Sequence, residues 1–274
     1  MRGLRPVAVG KLGQSRTQSN EGWARLSALL VVAALMPWPL LITQDHWWAF
    51  ILVTAAILAA LRLVSGSQWA SIAGLKLPPA QALPVIAAFV LVAIGSMMLL
   101  RHVYEAVGLR SSAPLIKDQI GFLFQALNEE ILFRALLIGL LIQFVPSAPV
   151  ISLGVAFPFA AVHFLLYRYS NPLHLALPIA SLATLFFAGV AWNNLYLAFR
   201  HIGFSWALHA GWNVVWLPAT IYVAATDERL YEPQVFERVL SLPSIVGTSC
   251  VMAVLSFAIL VRRRAATSDY SRPA

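Results

Sequence analysis

Residues 82–100 read ALPVIAAFVLVAIGSMMLL, a continuous apolar run that contains no charged residue. A helix needs about 17–25 mainly apolar residues to cross the hydrocarbon core of a bilayer. An open sheet edge could not satisfy its backbone polar groups in lipid, so a helix is the expected element. The run therefore predicts a transmembrane helix.

Similar runs occupy most of the remaining chain. Together they predict an all-α fold, a polytopic transmembrane helical bundle with about eight membrane-spanning helices. The first two runs are short, and Pro37 and Pro39 interrupt the first, so six or seven full spans would also satisfy the sequence. The other runs lie near 24–44, 47–64, 119–143, 150–167, 173–199, 202–224 and 242–261.

The composition excludes a soluble globular protein and a disordered one. Of the 274 residues, 60% are hydrophobic and 11% are charged, whereas soluble domains carry about 45–50% apolar and about 25% charged residues. The net charge of +8 comes mostly from lysines and arginines at the ends of apolar runs. Basic residues in those positions anchor to lipid headgroups, so we expect a lipid bilayer and no nucleic acid as partner. The single cysteine, Cys250, excludes an internal disulfide.

The charge distribution predicts the orientation and the domain organisation. We expect a basic cytoplasmic arm at 1–22, one helical membrane domain at 23–261 and a basic cytoplasmic tail at 262–274. An even number of spans puts both termini in the cytoplasm and more basic residues inside than outside, as the positive-inside rule requires. A compact chain without long loops or a retention signal is typical of a bacterial plasma (inner) membrane protein.

Three of the apolar runs carry polar side chains that are costly at that depth. A charge at mid-membrane costs about 2.5–3.5 kcal/mol on insertion scales, so such groups are candidates for function. The fourth run contains Asn128, Glu129, Glu130 and Arg134, the fifth Phe159 and His163, and the seventh His209 and Asn213.

Helical spacing assigns different roles to these residues. Glu130 and Arg134 are four residues apart and can pair on one face. Glu129 is offset by about 100° and stays available for chemistry. With His163 and the face that carries His209 and Asn213, it could bind and deprotonate a water and stabilise an oxyanion. A buried histidine is more often a packing residue and a Glu–Arg pair often only docks helices, but three such motifs on separate spans favour a site.

The ordered set Glu129-Glu130…Arg134, Phe159…His163 and His209…Asn213 resembles the CAAX-protease and bacteriocin-processing (CPBP) family of intramembrane proteases, which includes the Ras-converting enzymes. The resemblance covers the motif core, about residues 119–217. It implies an endopeptidase in which Glu129 is the general base, His163 helps to activate the water, and His209 and Asn213 bind water or metal or stabilise the oxyanion. It also implies that Glu130, Arg134 and Phe159 support the site, and that the substrate is a membrane-associated protein or peptide.

The residues leave the use of a metal open. Glu129, His163 and His209 could form a three-ligand site for one divalent ion, with zinc the expected metal, or a Glu–His pair could activate water unaided. No His-Glu-x-x-His motif is present. The substrate could be a CAAX-type protein, a peptide or a sorting tail, and the oligomeric state does not follow from these residues.

Other functions fit these residues less well than a protease does. A proton-coupled transporter would also carry Glu and His at mid-membrane, but it predicts repeats or broken helices that the sequence lacks. A catalytically silent immunity or scaffold relative would be expected to lack Glu129 or His163. Gly203 and Ser205 imitate a rhomboid motif, but the later histidine helix that a rhomboid requires is missing.

Overall fold

A computed structural model describes residues 47–107, 116–170, 179–226 and 240–269, together with part of 23–34. Every regular element in these ranges is helical, so the predicted all-α fold is confirmed. The main helices are α1 (Trp47–Ser65), α2 (Trp69–Ile72), α3 (Pro79–Val107), α4 (Ile116–Glu130), α5 (Ala148–Ser170), α6 (Ile179–Phe199), α7 (Gly203–Thr226) and α8 (Pro243–Asp269).

The count of about eight membrane spans is not confirmed. Within the described ranges, three helical stretches are long and apolar enough to cross a membrane: Pro79–His102, Ile179–Phe199 and Pro243–Ala265. Two shorter apolar stretches, Trp48–Leu63 and Ala148–His163, belong to α1 and α5. The predicted arm at 1–22 and most of the first predicted run lie outside the described residues. At the other end of the chain, α8 continues beyond 261 as far as Asp269.

α6 is the central helix of the bundle and α3 is a peripheral one. In the apolar stretch of α6, 67% of the residues are buried, against 11% in that of α3. α6 packs between α5 and α8, where the side-chain amide of Asn194 donates a hydrogen bond to Ser256 Oγ over 3.2 Å. The outer side of α3 exposes Leu83, Leu91 and Met98, which suits a helix surrounded by lipid.

The fourth predicted run is not one regular α-helix. α4 ends at Glu130, a π-helical segment follows over Ile131–Ile138, and one further α-turn, Gly139–Leu141, completes the element. A π-helix has i→i+5 hydrogen bonds, is rare and often occurs at functional sites. Glu129 and Glu130 are therefore the last two residues of α4, directly before the backbone changes its winding.

A tight connection fastens the start of α3 to the turn between α6 and α7. Gly74 has a φ of +68°, and a Cβ at this position would lie only 3.0 Å from Ile202 Cγ2. The Gly74 carbonyl accepts a hydrogen bond from Ile202 N–H over 3.0 Å. Beside it, His201 Nδ1 accepts from Gly203 N–H over 3.1 Å, so Nε2 carries the proton and donates to Gln81 Oε1 over 2.7 Å. His201 is 3% exposed.

Candidate active site

Glu129 faces two histidines that come from other helices. Its Oε2 atom lies 3.8 Å from His163 Nε2 on α5 and 3.6 Å from His209 Nε2 on α7. The structure thus brings together three predicted site residues that are far apart in sequence. Glu129 and His209 side chains are 8% and 3% exposed, whereas that of His163 is 18% exposed. The site is therefore most accessible from the side of His163.

The hydrogen bonds of the two imidazoles define which ring nitrogen is free. His163 Nδ1 lies 2.8 Å from the Phe159 carbonyl oxygen, which can only accept, so Nδ1 donates. His209 Nδ1 lies 2.9 Å from Glu130 Oε1, and a carboxylate also accepts. In the neutral rings both Nε2 atoms then carry a lone pair. Both Nε2 atoms lie within 3.8 Å of Glu129 Oε2, which has no hydrogen-bond partner among the described residues.

Glu130 has more partners than the arginine that the sequence suggested. Its Oε1 atom lies 3.2 Å from Arg134 Nη1, which is the expected ion pair, and 2.9 Å from His209 Nδ1. Glu130 and Arg134 are completely buried. Glu130 therefore orients His209 in addition to neutralising Arg134, which is a role that spacing within one helix could not reveal.

Aromatic rings surround the buried guanidinium and the histidines. Phe159 is fully buried, and its ring centre lies 4.6 Å from the His163 ring and 4.7 Å from Arg134 Cζ. Trp192 stacks on His209 with ring centres 4.0 Å apart and planes 13° apart. Its ring centre lies 5.3 Å from Arg134 Cζ. The cation is thus held against ring faces, an arrangement that favours charge away from water.

Two of these supporting residues were missed by the sequence analysis. Trp192 and Asn193 lie on α6, and neither belongs to a motif. Arg134 Nε donates to Asn193 Oδ1 over 3.0 Å, and Asn193 Nδ2 donates to the Ser152 carbonyl over 2.8 Å. The only available signal was an amide pair, Asn193 and Asn194, in an otherwise apolar run. Buried amides at such depth are expected to have partners, but the sequence does not say which.

Asn128 ties the glutamate motif to α1. Its Oδ1 atom accepts a hydrogen bond from Thr54 Oγ1 over 2.7 Å, and its Nδ2 atom donates to the Phe50 carbonyl over 3.3 Å. Asn128 is 1% exposed. The end of α4 is therefore held by α1 on one side and by α5, α6 and α7 on the other.

A comparison with protein families now bears on this arrangement. Residues 113–215 match the model of a family described as Rce1-like, type II CAAX prenyl endopeptidase. The similarity to this family is carried by that segment. The prediction of a CAAX-protease relative is thereby confirmed, and the match supports a CAAX-type intramembrane endopeptidase at family level. No curated protein and no solved structure matches the chain significantly.

The Rce1-like segment contains the whole set of contacts between the glutamates and the histidines. Asn213, the remaining predicted site residue, lies one turn beyond His209 on α7 and is 7% exposed. Among the described residues, none of the measured contacts that link Glu129, Glu130, His163 and His209 includes Asn213. Its amide is therefore placed on the face of α7 that carries His209, without a measured contact to the carboxylates.

The carboxylate of Glu129 and the imidazoles of His163 and His209 are groups that commonly bind a divalent cation. Histidines that bind a metal usually donate the other ring N–H to a carboxylate or a carbonyl, as His209 and His163 do here. Ligand atoms around a tetrahedral zinc, with bonds of about 2.0–2.2 Å, lie about 3.4 Å apart. The separations of 3.6 and 3.8 Å are wider. In the described part of the chain, no three His, Cys, Asp or Glu side chains form a complete metal site as they stand.

Proposed function

We propose that this protein is an intramembrane endopeptidase that hydrolyses a peptide bond with a water activated by Glu129 and the two histidines. The observation that carries the proposal is that Glu129 Oε2 lies 3.8 Å from His163 Nε2 and 3.6 Å from His209 Nε2 in a largely buried place, without a hydrogen-bond partner among the described residues. Three acceptors without a donor between them repel one another. A water supplies two donor protons to such a site and is oriented by it.

Glu129 is the general base in this mechanism. The carboxylate takes a proton from the water on Oε2, while His163 or His209 accepts a hydrogen bond from the second water proton. The water oxygen then attacks the carbonyl carbon of the scissile bond and forms a tetrahedral oxyanion. When the C–N bond breaks, the protonated Glu129 delivers its proton to the leaving nitrogen.

The oxyanion requires a donor, and the two histidines have no unused N–H group at Nδ1. Their Nδ1 protons are already committed to Phe159 and Glu130. Asn213 lies one turn beyond His209 on α7, and its side-chain amide can donate, so we assign oxyanion stabilisation to it. If the enzyme uses a zinc ion, Glu129, His163 and His209 would hold it, and the metal would supply Lewis-acid polarisation of the bound oxygen.

The substrate is a membrane-associated protein or peptide cleaved near its C-terminus or within a membrane segment. The family description supports a CAAX-type reaction, and maturation of a bacterial peptide or sorting tail would use the same chemistry. We place the protein in the plasma membrane with both termini in the cytoplasm. Basic residues support this orientation, because the loop after α1 and the end of α8 carry Lys76 and Arg262–Arg264.

The test is cleavage of a quenched membrane-segment peptide library by detergent-purified protein. Wild type is compared with Glu129→Gln and with Lys76→Gln, an exposed residue outside the site that serves as the control. The proposal expects cleavage by wild type and Lys76→Gln, and a loss of at least about 10²-fold in Glu129→Gln, the lower range for a general base. Full activity of Glu129→Gln would refute the assigned base. Ion-driven solute uptake that Glu129→Gln abolishes would replace proteolysis with transport.

A further inference from the structure

The two oxygens of the Glu129 carboxylate have different surroundings. Oε1 accepts a hydrogen bond from the side-chain amide of Gln125 over 3.3 Å. Oε2 has no hydrogen-bond partner among the described residues and faces the two histidines. Gln125 stands outside the three motifs, and no role was assigned to it by the sequence.

We propose that Gln125 is a positioning residue, which holds Glu129 so that Oε2 meets the reacting water. The inference rests on the proposed function, in which Glu129 is the general base. Gln125 acts through the carboxylate alone, because its amide touches the oxygen that faces away from the histidines.

The regular α-helical backbone keeps Gln125 beside Glu129. Gln125 and Glu129 are four residues apart within the last turns of α4, where side chains at this spacing lie on one face. The π-helical winding begins only at Ile131, so the α-helical spacing between the two residues is kept. A change of winding one turn earlier would have moved Glu129 away from Gln125.

The carboxylate needs such a partner because its terminal torsion is soft. The rotation that exchanges the two oxygens of a glutamate is broad and roughly two-fold, so packing alone does not choose between them. The Glu129 side chain is 8% exposed, which leaves little bulk water to fix its orientation. One N–H donor on Oε1 removes this freedom and gives the water a single base atom. Misplacement of a catalytic group by about 1 Å can cost about 10²-fold in rate.

Three substitutions at Gln125 distinguish a hydrogen-bonding role from a packing role. Gln125→Met keeps the length and volume but removes the donor, Gln125→Glu places an acceptor against Oε1, and Gln125→Lys keeps a donor. We expect kcat to fall by about 10- to 100-fold in Gln125→Met, with KM within twofold of wild type and an unchanged melting temperature. We expect kcat to fall at least as far in Gln125→Glu, and to recover much of the loss in Gln125→Lys. Wild-type kcat in Gln125→Met would overturn the proposal, since a packing role alone tolerates methionine.

A measurement without substrate keeps this inference separate from the proposed function. In protein labelled with ¹³C-glutamate, the infrared carboxylate band of Glu129 is the one that disappears in Glu129→Gln. The inference expects this band to shift in Gln125→Met and to return towards its wild-type position in Gln125→Lys. If wild type cleaves nothing and the band still shifts in Gln125→Met, the proposed function is refuted and the hydrogen bond between Gln125 and Glu129 is supported. An unshifted band in an active enzyme would refute the role of Gln125.

Discussion

Among substitutions that remove a charge from the glutamate motif while keeping the shape of the side chain, Glu130→Gln is expected to destabilise the protein most. The change keeps the shape of the side chain and removes its charge. It removes the ion-pair partner of the completely buried Arg134, and it weakens the acceptor for His209 Nδ1. The stability of the fold and the orientation of the His209 imidazole are therefore lost together.

The magnitude follows from the geometry of the pair. Opposite charges 3.2 Å apart attract by about 5 kcal/mol at an effective dielectric constant of about 20. Removing one partner of a buried pair typically costs about 3–5 kcal/mol, because the other charge stays desolvated. We expect a loss of that size in the free energy of unfolding, measured by denaturation in mild detergent with Glu129→Gln as the matched control.

A double variant distinguishes the two roles of Glu130. Glu130→Gln combined with Arg134→Met removes both charges, and we expect it to recover most of the lost stability. Peptide cleavage should remain impaired, because His209 still lacks its carboxylate. If Glu130→Gln alone costs less than about 1 kcal/mol, the range of an exposed ion pair, the reasoning from a buried pair is refuted.

Three further outcomes are expected. A zinc chelator should abolish cleavage if a metal completes the site and leave it unchanged if Glu129 activates the water unaided, and restoration by zinc identifies the metal. Gly211→Val should lose about 1–3 kcal/mol of stability through overpacking, because a Cβ at Gly211 would lie 3.0 Å from the Phe89 carbonyl oxygen, whereas Gly154→Val meets nothing within 4 Å. Burial, and the charge of Arg263, lower the pKa of His201, so stability should fall as the pH drops below about 6.5, the pKa of a free histidine. The melting temperature measured between pH 5 and 8 tests this, and it should depend less on pH in His201→Gln than in wild type.

Each of these outcomes has a result that contradicts it. Partial inhibition by the chelator that zinc does not reverse would fit neither mechanism. Equal stability of Gly211→Val and Gly154→Val would mean that α3 does not pack closely against α7. A pH profile that is the same in wild type and His201→Gln would mean that the buried imidazole is not a source of acid instability.

The sequence predicted those parts of the site that depend on local spacing and unusual polarity. Glu130 and Arg134 were expected to pair because they are four residues apart, and they do. Helical spacing predicts that Glu129, His163, His209 and Asn213 converge, and the structure brings the first three together. The all-helical class followed from the apolar runs alone.

Contacts between helices could not be predicted from the same patterns. Asn193 and Trp192 support Arg134 and His209 from α6, and their roles depend on how α6 rotates against α4 and α7. The second partner of Glu130 depends on the same packing. The number of spans stays a prediction, since three described stretches are long and apolar enough to cross a membrane and charged residues interrupt α4.

The π-helical segment gives the bundle a tolerance to changes in length. Each of its turns takes up one residue more than an α-turn, as its i→i+5 hydrogen bonds require. Loss of one residue between Ala135 and Ile138 could therefore be absorbed by rewinding part of the segment as α-helix, while Glu130 and Arg134 stay where they are. The same loss in the middle of α6 would rotate everything after it by about 100° and carry Trp192 or Asn193 away from the arginine. Related chains that differ in length by one residue should carry that difference in this segment rather than in α6.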